Sequence, residues 1–207
     1  MRWVLALLLA LLAGVGALYW VTAGFSVVTA EAARRQAVAA EPRPLPDARM
    51  LAADGRTTSL LENLATDGRV AIVTFFYSRC LSLCLAQGSQ AERLQRAIIE
   101  RGLDERVRLL SISFDPRDGA RELDDYAGRM GAAPRIWQFL SMADPAARAR
   151  VLDLFGIVVV PAPLAQFEHN AAFHVVTPDG RLARILDLEA PGTALQAAEA
   201  LAAGGRP

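Results

Sequence analysis

The sequence predicts an α/β fold, a three-layer sandwich of helices over a buried sheet, carried on an N-terminal transmembrane anchor. Three observations predict it. An apolar run from Trp3 to about Val28 follows a single Arg2, and about 20 such residues cross a bilayer as a helix. A continuous β-branched and aromatic run, RVAIVTFFY at 69–77, reads as a central strand covered on both faces, and VRLLSISF at 107–114 as a second buried strand. Segments with helical spacing alternate with these strands along the rest of the chain.

The apolar run is longer than the core of a cleaved signal peptide, typically about 7–15 residues. Val15-Gly16-Ala17 offers a small-residue cleavage site, but the run continues past it. An uncleaved single-pass anchor is therefore the reading, with Trp3, Tyr19 and Trp20 near the interfaces. Arg34 and Arg35 follow the run, so charge counting against Arg2 leans towards an inside domain. The pair lies several residues beyond the apolar end, and Glu31 offsets part of it. The short N-terminal tail is that of a signal anchor, so the expectation is a bacterial inner-membrane protein whose domain faces the periplasm. No Arg-rich amphipathic presequence points to a mitochondrial address.

Residues 29–47 mix Ala, charge and Pro and read as a short helix or a tether, with the Pro cluster at 42–46 as a spacer. The domain proper is expected over 48–207. RMLAADGR reads as a strand closed by an Asp54-Gly55 turn. The run 69–77 follows as a central strand. In 82–101, Leu85, Ala91, Leu94 and Ile98 share one helical side, with Glu92, Arg93 and Arg96 on the other. The strand 107–114 ends at Asp115-Pro116, a helix follows over 119–129, and 136–142 reads as a short strand. Residues 144–156 form a helix with Asp144 as N-cap, Pro145 at its first position and Gly156 as stop. Two strands joined by the Pro178-Asp179-Gly180 turn occupy 171–187, and a last helix runs from about Thr193 to Ala203. This order is that of a thioredoxin-like sandwich, with 69–77 and 107–114 as parallel neighbours.

Composition narrows the chemistry. The formal net charge is +0, so no basic field argues for nucleic acid. Every basic side chain is Arg, which excludes a P-loop lysine, a Schiff-base lysine and a lysine general base. His169 and His174 are the only histidines, Cys80 and Cys84 the only cysteines.

The cysteines form a Cys-x-x-x-Cys pair at the end of the first central strand. A thiol beside a helix N-terminus and Arg79 is biased towards thiolate. If 80–84 is the first helical turn, both sulfurs share a face. Three uses follow from the residues alone. A structural disulfide would close a tiny loop and stabilise little. A redox-active pair would exchange with a partner disulfide. A soft metal site would use both thiolates, and two Cys with one His suit copper, whereas Zn usually wants four ligands and Fe–S clusters want more cysteines. A thiol peroxidase lacks its characteristic turn. His174 reads as a packed strand residue on the face of Ala172 and Val176. His169, beside Glu168 in the expected loop 159–170, reads either as a ligand or as a solvated residue. Asp115 and Asp118 form a tempting carboxylate pair, against which stands a strand-end turn with Asp118 near the next helix N-terminus. Trp137, Phe75, Phe76 and Tyr77 read as core or site lining.

FFYSRCLSLC at 75–84, SISFDPRD at 111–118 and EHNAAFHVVTPDGRL at 168–182 together resemble the Sco/SenC family of membrane-anchored, thioredoxin-like copper proteins that serve cytochrome c oxidase assembly. The likeness covers about residues 48–187 and the anchor. It implies a copper ion, Cu(I) or Cu(II), held by Cys80, Cys84 and His169. It implies the copper-bearing subunit of cytochrome c oxidase, or another copper chaperone, as partner. The family also supports a thiol-disulfide role for Cys80 and Cys84. The chain departs from the family pattern at Leu81 and Leu85, where Pro is common, at Ser82 between the cysteines, and at Glu168, where Asp is common.

Overall fold

The computed structural model describes residues 2–21, 29–80, 83–142 and 144–204, without the side chains of 21 and 83–87. The first helix, α1 (Arg2–Val21), is apolar, and its stretch Arg2–Trp20 is unburied with a mean hydropathy of 2.1. It is a candidate membrane span by length and composition; residues 22–28 of the expected anchor lie outside the described residues. The stretch 29–47 takes the helical alternative. Thr29 caps α2 (Ala30–Ala40), accepting from the Ala32 N–H at 3.1 Å. Val38 is fully buried, and the Arg34 guanidinium donates to the Leu154 carbonyl at 2.8 Å.

The remaining strands are β1 (Arg43–Pro44), β2 (Arg49–Ala52), β3 (Thr57–Ser59), β4 (Val70–Phe76), β5 (Val107–Ser113), β6 (Trp137–Met142), β7 (Val159–Ala162), β8 (Gln166–His169), β9 (Ala172–Val176) and β10 (Arg181–Asp187). The helices between and after them are α3 (Leu60–Asp67), α4 (Leu83–Glu100), α5 (Ala120–Arg129), α6 (Pro145–Phe155) and α7 (Pro191–Ala202). One mixed sheet runs in the order β1-β10-β9-β4-β5-β6-β2-β3. β4, β5 and β6 are parallel neighbours, and β9 joins β4 antiparallel. Right-handed crossovers in one direction put α4 and α5 on the same face.

Every residue of β4 and β5 is buried, Thr74, Arg108, Ser111 and Ser113 included, which is why both read as predominantly apolar runs. Successive side chains of β4 point to opposite faces. Phe75 meets Phe155 of α6 at 4.9 Å between ring centroids, and Phe76 meets Tyr126 of α5 at 4.5 Å. α5 and α6 therefore cover opposite sides, and the expected three layers are present. Trp137 is core and donates its indole N–H to Ser111 Oγ at 2.8 Å. Around α6 the expected signals operate: Asp144 accepts from the Ala146 N–H at 2.9 Å, and Gly156 closes the helix at φ 66°.

Two local expectations are corrected. Segment 159–170 is not an irregular loop but a β7–β8 hairpin with a 3-10 turn over Pro163–Ala165. The N-cap of α5 is Gly119, whose N–H donates to the Glu122 carboxylate at 3.0 Å; Asp118 faces inward instead.

His174 is the packed strand residue expected. It is 1 % exposed, lies edge-on to Phe75 and Phe155, and has Nε2 3.2 Å from the Phe155 carbonyl. Burial, against the raising influence of the Val73 and Phe155 carbonyls and helped by Arg34 and Arg35, pushes its pKa down to about 4. The unfolded chain takes up this proton near pH 6.5, the folded chain only near 4. Stability is therefore complete above about pH 6.5 and falls by about 3 kcal/mol as pH drops to about 4. Urea denaturation at pH 7, 5.5 and 4.5 measures this fall, and His174→Leu should flatten it. His169 is shifted in the same direction, so the difference between parent and variant isolates His174. Equal slopes in the two would contradict the assignment.

Candidate metal centre

The site lies where β4 and β5 end. After Phe76 the chain turns through Ser78 and Arg79, and the Cys80 N–H donates to the Tyr77 carbonyl at 3.3 Å. Cys80 is half-buried against the edge of the core. It lies before α4, which is described from Leu83 onward. Cys80 belongs to the turn and Cys84 to the start of the helix. Leu81, Ser82 and the Cys84 side chain lie outside the described residues.

Asp118 holds the turn. It is 4 % exposed. Its carboxylate accepts from the Ser78 N–H at 2.8 Å and the Ser78 hydroxyl at 2.6 Å, and the Ser113 hydroxyl donates to it as well. On the other side, the Arg129 guanidinium donates to the Ser78 carbonyl at 3.2 Å. Asp115, fully buried, takes Arg79 at 2.6 Å and Arg117 at 2.8 Å. Burial would raise its carboxyl, but the Arg117 side chain and backbone N–H, with Arg79, outweigh that and hold it below the usual carboxylate range. The two aspartates are thus separate anchors rather than a shared acid–base pair. The two Ser78–Asp118 bonds span 40 residues and exist because β4 and β5 pair in parallel. That pairing was expected, but no local pattern shows which side chains it brings into contact.

His169 ends β8. Its imidazole lies edge-on to Phe114 at 5.0 Å and Tyr77 at 6.1 Å between centroids, with Nδ1 2.9 Å from the Asn170 carbonyl. Burial lowers its pKa despite the Asn170 carbonyl, which favours the neutral, ligating imidazole near neutral pH. A backbone carbonyl on Nδ1 fixes the tautomer with Nδ1 protonated and leaves Nε2 as the electron-pair donor. The hairpin thereby brings His169 to Tyr77 and Phe114, the residues that follow β4 and β5, and Tyr77 lies three residues before Cys80. His174 points instead into the layer under α6 and takes no part. The described residues contain no group of three or more His, Cys, Asp and Glu side chains placed to hold a metal, a group that here would need Cys84. A half-buried thiol at the entrance to a helix, with a neutral imidazole on the neighbouring hairpin, can offer soft ligands to a metal or a nucleophile to a disulfide.

The chain matches the family model described as SCO1/SenC over residues 52–203. No curated protein matches it. Similar solved structures include a SCO1/SenC family lipoprotein from Bacillus anthracis, 19 % identical with a TM-score of 0.69, covering 78 % of this chain and 98 % of that one. ScoI from Bradyrhizobium japonicum with copper bound is 22 % identical with a TM-score of 0.61, over 75 % and 98 % of the two chains. BsSco, a Sco-family cytochrome c oxidase assembly protein in which a disulfide switch has been identified, is 21 % identical with a TM-score of 0.66, over 79 % and 95 %. At these identities the likeness is one of fold.

Proposed function

The chain belongs to the SCO1/SenC family, and on that premise we propose that it binds copper through the Cys80 and Cys84 thiolates and the His169 imidazole and delivers it to the copper site of cytochrome c oxidase. The cargo is Cu(I) or Cu(II). The acceptor is the copper-bearing subunit of the oxidase, and another copper chaperone is a second possible partner. Residues 3–28 anchor the chain in a bacterial inner membrane, 29–47 link anchor to domain, and the domain over 48–207 faces the periplasm.

The observation that carries this reading is the β7–β8 hairpin. It sets a neutral imidazole on Tyr77 and Phe114, at the end of the sheet where the cysteine turn begins. The Bradyrhizobium relative with copper bound shares the fold. Thiolates select Cu(I) and imidazole accommodates copper in either state, so the mixed set suits a carrier that must also release its cargo by ligand exchange.

A second reading is favoured by the position of Cys80 before the N-terminus of α4 and by the disulfide switch of the relative BsSco. Here the Cys80 thiolate attacks a partner disulfide, and Cys84 resolves the mixed disulfide. The partner leaves with two thiols and the chain with a Cys80–Cys84 bond.

One experiment separates the readings. The reduced full-length chain in detergent is titrated with Cu(I) and Cu(II) under competition, alongside His169→Ala, and both are assayed for disulfide reduction. The carrier reading expects one tightly bound equivalent and a marked loss of Cu(II) affinity in the variant. Disulfide reduction that ignores the histidine change, with no stoichiometric copper, would replace it with the redox reading.

A further inference from the structure

The hairpin carrying His169 stands off the main sheet: β7 and β8 pair only with each other. Asn170 ties its base, accepting from the Val158 N–H at 2.7 Å and donating to the Gly156 carbonyl at 2.8 Å. Its far part, beside the cysteine turn, is fastened at two other places. The Tyr77 hydroxyl accepts from the Phe167 N–H at 3.2 Å and lies 3.0 Å from Gln166 Oε1 and 3.1 Å from the Phe167 carbonyl, to either of which it donates. The Arg117 guanidinium donates to the Ala165 carbonyl at 3.2 Å, sits 5.7 Å over the Phe167 ring, and is itself gripped by the buried Asp115.

We propose that Tyr77 and the Asp115–Arg117 pair are positioning residues that hold the β7–β8 hairpin, and with it His169, in place before copper arrives. The proposal rests on the reading of His169 as a ligand. Three features argue for it. Phe167 and His169 alternate onto one face of β8, and both rings pack against Tyr77 and Phe114, at 5.2 and 5.7 Å for Phe167. The Tyr77 hydroxyl therefore bonds the strand at the residue whose side chain sits beside the histidine. The hairpin tip is strained, because Leu164 and Ala165 sit at φ 60° and 55° without being glycine. Such conformations persist only where the surroundings over-determine them, and the Arg117 bond falls on Ala165 itself. The tip is also apolar and open, with Leu164 93 % exposed, so burial of its side chains does not hold it down. Tyr77 lies three residues before Cys80 and Arg79 one residue before it, so the same contacts fix the hairpin relative to the cysteine turn. Without the latch the ligand would have to be ordered at the moment of binding, at a cost in apparent affinity.

Hydrogen exchange on the copper-free full-length chain in detergent tests the latch alone. Tyr77→Phe keeps the ring and its stacking and removes only the hydroxyl. Arg117→Gln removes the second fastening at a half-exposed side chain and leaves Arg79 paired with the buried Asp115. Exchange in peptides covering 159–169 should rise about tenfold in Tyr77→Phe and further in the double variant, while β4, β5 and α7 stay within about twofold. Equal hairpin exchange in parent and both variants would overturn the proposal, as would a parent hairpin already exchanging as fast as an unstructured segment. The second arm loads Cu(II). Tyr77→Phe should weaken Cu(II) binding about tenfold and blur the imidazole nitrogen coupling in the electron paramagnetic resonance spectrum, whereas Cu(I) affinity, resting on two thiolates, moves less. Equal losses of Cu(I) and Cu(II) affinity would mark a general structural effect and contradict a positioning role. A nitrogen signature that survives His169→Ala would overturn the ligand assignment instead, and the copper-free exchange would still judge the latch.

Discussion

Cys80→Ser in the full-length chain is expected to lower Cu(I) affinity by about two to three orders of magnitude, and Cys84→Ser by a similar factor. Metal binding by four protein ligands is worth about 10–16 kcal/mol in structural zinc sites, or about 2.5–4 kcal/mol per ligand, which corresponds to that loss. A serine hydroxyl is harder and stays protonated, so it does not substitute for the thiolate. The folded state should barely notice the Cys80 change, because Cys80 is half-buried at the core edge and serine is close in size. Competition titration measures the affinity, and an unchanged melting temperature shows that the loss is local. A tenfold loss or less in both single variants would mean that the sulfurs are not the principal ligands. If binding fails only in the doubly substituted chain, either cysteine suffices and the three-ligand account is wrong.

Asp118→Ala is expected to destabilise the domain by about 3 kcal/mol, a fall in Tm of about 10 °C for a chain of this size. The side chain carries no ligand, yet it accepts three hydrogen bonds, two from Ser78 and one from Ser113. Its removal leaves a buried backbone N–H and two hydroxyls without an acceptor, and a buried unsatisfied donor costs more than a made bond contributes. Asp118→Asn keeps an acceptor oxygen and should lose about half as much. Copper affinity should fall along with stability, because Ser78 lies two residues before Cys80 and the turn loosens. Urea denaturation and copper competition on the same samples measure both. A loss below about 1 kcal/mol with full copper affinity would show that the turn is held by other contacts.

Sequence patterns made the sheet legible where burial is complete. β4 and β5 are covered on both faces, so nearly every position is apolar or a small hydroxyl, and the buried Arg108 of β5 is the exception. α6 was equally clear, because Asp144, Pro145 and Gly156 each perform a local task that no distant contact alters. His174 could be placed in the packing by its strand periodicity. The β7–β8 hairpin was hidden for a physical reason. It contains Pro161 and Pro163, it alternates poorly, and it joins no other strand, so local signals favour a loop. The helix expected over 82–101 is α4 (Leu83–Glu100), because its apolar side repeats at helical spacing. The inward face of Asp118 and the reach of the Tyr77 hydroxyl to Phe167 depend on contacts 40 and 90 residues apart in sequence. Neither leaves a mark on its neighbours in the chain. In the SISFDPRD segment the strand-end turn prevails over a carboxylate pair, and the partners of its two aspartates, Ser78 for Asp118 and Arg79 for Asp115, lie 40 and 36 residues away in sequence.

The measurement that bears most directly on the three-ligand centre is X-ray absorption at the copper edge on the reduced, copper-loaded full-length chain, beside His169→Ala. The account predicts two sulfur scatterers and one imidazole nitrogen in the parent, with the nitrogen contribution absent from the variant. A first shell that is the same in both samples, or one without sulfur, would contradict it.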